Sequence, residues 1–227
     1  AQHLWFATPD NGVAALIYSP SEVTLRVGDG RTVTIAEQTA YPMEEEIRFS
    51  VRMTGRGGER FPFHLRIPGW YEGAEVEVIA VVEREWRDGD SLVLRLPMRV
   101  VTSRWYENSV SVERGPLVYA LAMREEWELK RFPDAEVRQF GREYYEVTSP
   151  DAWNYGLPVR GADKPAENSR VEVDAAKARS RYFWNYENAP VRIRVKAKRM
   201  PAWGLYNEMT GPLPYSVGTT PCPEEEV

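Results

Sequence analysis

The chain has 227 residues, of which 43% are hydrophobic, 28% charged and 12% aromatic, and its formal net charge is −5. The apolar fraction is too high and the charges are too mixed for a disordered chain, and no stretch approaches the ~20 apolar residues of a membrane span. The acidic balance disfavours a nucleic-acid-binding protein, which usually has a basic excess. The composition predicts one or two globular domains, with neither nucleic acid nor a membrane as partner.

Cysteine and histidine are too few for the common disulfide and metal sites. Cys222 is the only cysteine, and His3 and His64 are the only histidines. One thiol cannot form an intramolecular disulfide, and these three residues lack the close spacing of a zinc site. A catalytic pair that uses Cys222 is disfavoured because this thiol lies in the tail. We interpret His64, within the apolar run 61–65, as a partly buried, hydrogen-bonded structural histidine.

The compartment of the protein is not defined by the sequence. Residues 1–6 show neither the basic region nor the apolar stretch of a secretory signal, so we expect no leader in this chain. A single cysteine leaves the redox environment undetermined. The sequence is therefore compatible with a cytoplasmic and with an exported protein.

Apolar and polar residues alternate with a period of two in much of the chain, which predicts half-buried strands. Such strands are predicted at 47–53, 76–78, 92–96 and 191–197. Residues 23–27 and 31–35 predict a hairpin, because the intervening Gly28-Asp29-Gly30 supplies the positive φ angles of a tight turn. Further turns are predicted at 56–58 and 87–90.

Helical periodicity is scarce and is restricted to two short segments. Residues 174–179 predict about two helical turns, and residues 124–130 predict one or two more. Many short strands separated by turn signals predict an all-β fold, with two β-sandwich-like antiparallel sheet units and few short helices.

The pattern of predicted strands and turns changes near Gly115-Pro116. Before this point strands follow one another with short turns, whereas residues 124–168 predict irregular structure rich in aromatics, proline and glycine. We therefore predict a first β-sandwich domain at 1–115 and a second at 116–227. The acidic end at 223–227 is expected to be solvated and, by default, disordered.

The carboxylates do not define an acid–base pair. A glycosidase needs two carboxylates ~5–10 Å apart across a sugar. The adjacent glutamates at 44–46 and 125–126 would point to opposite faces of a strand and are interpreted as solvated clusters. The sequence has no Gly-x-Ser-x-Gly, no glycine-rich phosphate loop and no His-Glu-x-x-His.

Aromatic residues are numerous, with 8 Trp, 12 Tyr and 7 Phe. Exposed rings stack on the CH faces of sugars, and nearby amides can bond to the hydroxyl groups. The runs 105–106, 153–155 and 182–186 combine both kinds of group, which predicts a carbohydrate-binding platform. Packing in a core or between domains is the alternative for each ring. The candidate substrate-binding residues are Trp105, Trp153, Asn154, Tyr155 and Trp184.

Several segments together resemble the β-L-arabinofuranosidase family, glycoside hydrolase family 127 and its relatives, long catalogued as a domain of unknown function. The segments are 38–42 (QTAYP), 65–70 (LRIPGW), 84–90 (REWRDGD), 94–98 (LRLPM), 113–121 (ERGPLVYAL), 153–157 (WNYGL) and 201–203 (PAW). They occur in the order and approximate spacing of the region that follows the catalytic barrel in that family, and they extend over nearly the whole chain.

The resemblance implies that the catalytic groups belong elsewhere. Members of the family have an (α/α)6 helical barrel followed by β-sandwich domains, and their nucleophilic cysteine and zinc ligands belong to the barrel. A pair of cysteines precedes the region that matches Leu4-Trp5-Phe6, and Cys222 matches none of the family's cysteines. We therefore expect no catalytic residue, metal or cofactor in this chain, with zinc only in the barrel. Relatives continue beyond the region that matches 224–227, so we expect a truncated second domain, and a shortened or split gene product would explain both ends.

Three functions remain open from the sequence. The first is a non-catalytic accessory region that supports the barrel of a glycoside hydrolase, the second is a carbohydrate-binding module, and the third is a self-sufficient glycosidase with an Asp/Glu pair. The expected partner is the catalytic helical barrel of the parent protein, and carbohydrate is the alternative ligand. Apolar surface that fits a barrel would also favour homo-oligomers of the isolated chain.

Overall fold

The computed structural model describes residues 3–71, 78–105, 109–132, 141–157, 169–180, 185–205 and 223–227. The chain divides into two compact units, one formed by Ala1–Arg99 with Arg114–Leu117 and the other by Val100–Glu113 with Val118–Val227. Strands dominate the described residues of both units, which confirms the predicted all-β fold. The division into sandwich domains at 1–115 and 116–227 stays a prediction.

The first unit contains two four-stranded sheets. Its strands are β1 (Trp5–Ala7), β2 (Val13–Ala15), β3 (Ser21–Val27), β4 (Arg31–Thr39), β5 (Glu46–Met53), β6 (Glu59–Ile67), β7 (Val78–Trp86) and β8 (Ser91–Arg95). One sheet has the order β1-β2-β6-β7, with β2 and β6 parallel, and the other has the order β3-β4-β5-β8. The strands predicted at 47–53 and 92–96 are thus β5 and β8, whereas residues 76 and 77 lie outside the described residues.

The core of the first unit lies between its two sheets. Alternation along each strand places every second side chain inward, and the inward residues of both sheets form one buried cluster. Phe49 of β5 and Phe63 of β6 meet there with their ring centroids 5.0 Å apart. Trp86 of β7 is fully buried and its Nε1 donates to the carbonyl of Phe61 at 3.0 Å, so no indole hydrogen is left unpaired. This arrangement is a β-sandwich with an aromatic centre.

The predicted turns of the first unit are confirmed. Strands β3 and β4 form the expected hairpin, with Val27 opposite Arg31. Gly28 and Gly30 have φ angles of +56° and +101°, in the left-handed region that disfavours other residues. In the turn at 87–90 the amide of Asp90 donates to the carbonyl of Arg87 at 3.0 Å. The segment 56–58 lies between the end of β5 and the start of β6.

The remaining described strands form sheets of two, three and four strands. They are β9 (Val100–Arg104), β10 (Val110–Arg114), β11 (Leu117–Tyr119), β12 (Glu126–Arg131), β13 (Glu143–Thr148), β14 (Tyr155–Gly156), β15 (Ser169–Val173), β16 (Val191–Arg199) and β17 (Glu224–Glu226). The three-stranded sheet has the order β11-β10-β9, and β12 pairs with β13 alone. Strand β16 contains the predicted strand 191–197 and pairs with β14, β15 and β17. The expectation of a disordered acidic end is wrong for Glu224–Glu226, because β16 supplies these residues with an antiparallel partner.

One predicted helix is wrong and the other is confirmed. Residues 126–131 form strand β12, although their glutamates and lysine favour a helix, because β13 supplies a full antiparallel partner. The expectation of irregular structure throughout 124–168 is therefore also wrong. Helix α1 (Ala175–Ala178) lies within the predicted segment 174–179. The side chain of Asp174 caps it by accepting from the amides of Ala176 and Lys177.

Candidate functional site

Trp105 is the most exposed of those aromatic residues predicted to bind sugar that the structure describes. It follows β9, and 67% of its surface is accessible. Its indole Nε1 lies 2.8 Å from Ser103 Oγ and 2.9 Å from Ser111 Oγ, and these two hydroxyls are themselves 2.7 Å apart. The hydroxyl groups fix the edge of the ring and leave its face open to solvent.

The segment 153–155 is engaged within the protein. Asn154 is buried, and its Nδ2 donates to the carbonyls of Met200 and Trp203, each at 3.1 Å. Its own carbonyl accepts from the amide of Met200 at 2.8 Å. Tyr155 is half-buried, and a hydrogen bond to Glu225 raises the pKa of its phenol. The polar groups of this segment therefore hold the turn after β16 and the terminal strand.

The described aromatic candidates do not form one platform. Trp105 follows the three-stranded sheet, whereas Tyr155 belongs to the sheet built on β16, and no ring contact joins them among the described residues. Trp153 is half-buried, and Trp184 lies outside the described residues, as does Cys222. The sugar-binding role of these residues stays a prediction.

A strip of apolar side chains lies on the outer face of the sheet β1-β2-β6-β7. We call Phe6, Ala14, Ile79 and Val81 the outer strip. The pairing register aligns Phe6 with Ala14, and His64 with both Ala14 and Val81, in one row across four strands. Val81 is 52% exposed, and Phe6 and Ile79 are exposed to a similar degree.

His64 lies within this row and is fixed by an acidic partner. Its Nε2 lies 2.9 Å from Asp10 Oδ2, and 18% of its side chain is exposed. Hydrogen bonds from Thr8 and then His64 lower the pKa of Asp10. These contacts confirm the predicted structural histidine, because its imidazole orders the turn between β1 and β2.

The outer face of the other sheet is polar by contrast. The hydroxyls of Thr24 and Thr34 lie 2.8 Å apart across β3 and β4. Arg48 and then Arg95 hold the pKa of Glu46 below its usual value. Val93 is the one large apolar residue that is exposed on this face among the described residues, with 37% of its surface accessible.

A buried carboxyl lies near one edge of the sandwich core. Glu37 of β4 follows the inward positions Val33 and Ile35 and is almost fully buried. Its Oε1 accepts from the amide of Ser19 at 2.9 Å, and its Oε2 lies 3.3 Å from Ser21 Oγ. Burial raises the pKa of Glu37 to about 7, against the opposing effect of these hydrogen bonds.

A second aromatic surface, not predicted from the sequence, lies on the hairpin of β12 and β13. We call this pair the ribbon, and Trp127, Leu129, Tyr145 and Val147 the ribbon face. Trp127 and Tyr145 are 60% and 59% exposed, and their rings meet edge to face with centroids 5.6 Å apart. The alternation of Trp127 and Leu129 with charged residues indicates a strand with one apolar face, whereas the charged residues alone favour the helix predicted at 124–130.

A cleft of about 240 Å³ beside α1 is lined by charged groups that already have partners. Asp174 caps the helix, and Lys177 Nζ donates to the carbonyl of Glu187 at 2.7 Å. Arg192 donates to the carbonyl of Tyr186 and lies over its ring. The cleft therefore shows no side chain that is held in place for a ligand.

Within the described ranges, no cluster of three or more His, Cys, Asp or Glu side chains could hold a metal ion. No described helix is long and apolar enough to cross a membrane.

Part of the chain matches the profile of a known protein family. Residues 12–98 match the profile of the Beta-L-arabinofuranosidase, GH127 middle domain. These residues extend from the start of β2 to just beyond β8, within the first compact unit. A search of curated proteins finds no match.

Seventeen chains of solved structures match the fold. A GH127 beta-L-arabinofuranosidase from Geobacillus stearothermophilus T6 aligns with a TM-score of 0.55 and 20% identity, over 100% of this chain and 31% of its own. A protein described as a glycoside hydrolase aligns with a TM-score of 0.43 and 19% identity, over 68% of this chain and 31% of its own. A GH127 beta-arabinofuranosidase aligns with a TM-score of 0.42 and 18% identity, over 62% and 31%.

The chain thus spans about a third of the length of the solved structures that it matches. At 20% identity, the structural alignment over the whole chain shows the fold alone. The profile match adds the family for residues 12–98. The predicted resemblance is confirmed: residues 12–98 match the middle domain of the GH127 β-L-arabinofuranosidases, and the all-β chain is similar in fold to about a third of one solved member of that family.

Proposed function

We propose that this chain is a non-catalytic accessory region of a GH127-type glycoside hydrolase, and that it packs against the catalytic helical barrel and supports it. The match of residues 12–98 to a middle domain supports this role, since the chain spans only 31% of a related enzyme. The observation that carries the proposal is the difference between the two outer faces of the sandwich, one of which has the outer strip and the other mainly ion pairs and hydroxyls.

The outer strip has the properties of a surface that another domain covers. Phe6, Ile79 and Val81 are large, apolar and about half exposed. Burial of each would contribute roughly 1 kcal/mol, at about 25 cal/mol per Å² of apolar surface. Such burial favours a protein partner over solvent, whereas the charged face of β3, β4, β5 and β8 would lose hydration on docking.

The test is binding of this chain to a separately produced helical barrel of the parent protein. The double variant Ile79→Thr, Val81→Thr keeps β-branched residues in the strand but replaces a methyl or ethyl group with a hydroxyl. We expect it to weaken binding about tenfold, since it removes roughly 1.5 kcal/mol of apolar burial. Calorimetric titration measures the change in Kd.

The matched control is Val93→Thr, which makes the same change on the polar outer face and should leave Kd unchanged. The isolated chain should not hydrolyse an aryl β-L-arabinofuranoside. Equal losses of affinity in the two variants, or no association with the barrel, would contradict the accessory role. Turnover that is lost on substitution of a carboxylate would instead support a self-sufficient glycosidase.

A further inference from the structure

The ribbon presents two opposite faces of different chemistry. The register places Trp127 opposite Val147, and Leu129 opposite Tyr145, so that the four side chains of the ribbon face lie together. The next pair on this face is Arg131 and Glu143, whose side chains meet at 2.7 Å. The ribbon face is therefore an apolar surface with two charged hydrogen-bonding groups at one end.

The opposite face of the ribbon is charged. Lys130 Nζ lies 2.7 Å from Glu128 and 3.3 Å from Glu146, and the bond to Glu128 is the main cause that raises the pKa of Lys130. Tyr144 lies on this side and stacks on Phe132 with ring centroids 4.6 Å apart. The rings of Tyr144 and Tyr145, which are adjacent in sequence, thus lie on opposite faces of the ribbon.

The indole of Trp127 is oriented before any ligand arrives. Its Nε1 donates to Glu125 Oε2 at 3.0 Å, and Tyr145 packs edge to face against the ring. These two contacts restrict the rotation of the indole while 60% of its surface stays accessible. A ring held open in this way can stack on the CH groups of a flat apolar ligand without a large loss of side-chain entropy.

The size of the ribbon face favours a small ligand over a protein. Two strands of six residues give a ribbon about 20 Å long and about 10 Å wide with its side chains, or on the order of 200 Å². A stable protein interface buries about 800 Å² on each partner. The ribbon face alone is thus too small for a stable interface with a second copy of the chain, but its length suits two or three sugar units.

We propose that the ribbon face binds a neutral oligosaccharide of two or three units. Trp127 and Tyr145 stack on the CH faces of successive sugars, and Arg131 and Glu143 bond to the hydroxyl groups at one end. Leu129 and Val147 fill the space between the rings. This site is distinct from the aromatic residues predicted from the sequence, and it does not depend on the role proposed for the outer strip.

The experiment is a titration of the whole chain with linear trisaccharides of arabinose, xylose and glucose, followed by calorimetry and by NMR shifts of the indole protons. We expect at least one trisaccharide to bind. Trp127→Ala and Tyr145→Ala should each weaken the affinity about tenfold, whereas Trp127→Tyr, which keeps a ring, should weaken it less. The matched control is Tyr144→Ala, on the opposite face of the same ribbon, which should stay within twofold of the unchanged chain.

Circular dichroism of each variant separates loss of the site from loss of the fold, and Trp127→Tyr tests the site if the alanine variants unfold. The proposal is overturned if none of the three trisaccharides binds at millimolar concentration, or if Tyr144→Ala weakens binding as much as Tyr145→Ala. Loss of binding in Trp105→Ala with Trp127→Ala unaffected also overturns it. A dimer that Trp127→Ala abolishes would assign the ribbon face to a second copy instead.

Discussion

At the scale of single residues, Glu37 shows how burial changes a side chain that the strand pattern places inward. The period of two puts Glu37 on the same face as Val33 and Ile35, so its burial could have been predicted from β4 alone. Desolvation disfavours the carboxylate, and two hydrogen bonds only partly offset this cost. The same surroundings act on Tyr18, whose pKa is raised first by burial and then by the nearby Glu37.

The pH dependence of stability follows from this carboxyl. Its pKa rises from 4.5 to about 7 on folding, so the folded chain binds more protons between these pH values than the unfolded chain does. The free energy of unfolding should therefore be highest at the acid end of this window and fall as the pH rises through 7, by about 3 kcal/mol at most. Urea denaturation between pH 5 and 8, at half-unit steps, measures this slope.

Glu37→Gln provides the test, because the amide oxygen can accept from the amide of Ser19 and the amide NH2 can donate to Ser21 Oγ. This variant should be less dependent on pH over the same range, with the largest gain in stability at the alkaline end. Glu22→Gln changes an exposed carboxyl on the outer face of β3, which is paired with Arg52, and should keep the original slope. A slope that is the same in Glu37→Gln and in the unchanged chain would disprove the assignment.

At the scale of elements, a buried charge within the first unit pairs Arg114 with the residue that precedes β5. Arg114 is 6% exposed, and its guanidinium donates to Glu45 Oε1 at 2.8 Å. The same carboxylate oxygen accepts from the amide of Met98 at 2.9 Å. Gly115 follows with φ +58°, and a Cβ there would lie 2.6 Å from Met98 Sδ, so this turn needs glycine.

Removal of Arg114 should be costly because it leaves Glu45 with one partner fewer and opens a cavity. We expect Arg114→Ala to lower the free energy of unfolding by about 2 kcal/mol, less than for a fully buried pair because Glu45 is partly exposed. Arg48→Ala, which breaks an exposed pair with Glu46, should cost less than about 1 kcal/mol. Urea denaturation at constant pH measures the free energy of unfolding of both variants. Equal losses would show that the buried pair stabilises the fold no more than the exposed pair does.

The elements also show what the sequence can predict. Hairpin β3–β4 could be predicted because its signals, the alternation and the glycines of its turn, are local. The parallel pairing of β2 with β6 joins Val13 to Phe63, and nothing local to either strand specifies that partner. Strand β12 was mistaken for a helix because charged residues favour helices in isolation, whereas cross-strand contacts with β13 decide the outcome. The ribbon face was missed for the same reason.

At the scale of the whole molecule, each compact unit exposes one of the two apolar surfaces described above. The first unit exposes the outer strip, and the second exposes the ribbon face. The sequence identifies Trp105 and Tyr155 as candidate sugar-binding residues, but it could not show their contacts. Serine hydroxyls hold the indole of Trp105, and Glu225 bonds to the phenol of Tyr155, and these contacts depend on distant strands. The side chains that share an exposed face of this chain are therefore determined by the pairing register of the strands more than by the amino-acid composition.

The outer strip should make the isolated chain associate with itself when no barrel covers it. Exposed apolar patches promote association, and the net charge of −5 opposes it by mutual repulsion. We therefore expect a dimer that forms at high protein concentration and becomes stronger from 0.05 to 0.5 M salt, as screening weakens the repulsion. Sedimentation velocity or light scattering over a concentration series measures this association.

The double variant Ile79→Thr, Val81→Thr should stay monomeric, whereas Val93→Thr and Trp127→Ala should associate like the unchanged chain. A strictly monomeric unchanged chain at high concentration would show that the outer strip is stable in water, and it would remove the main physical reason for placing the barrel there.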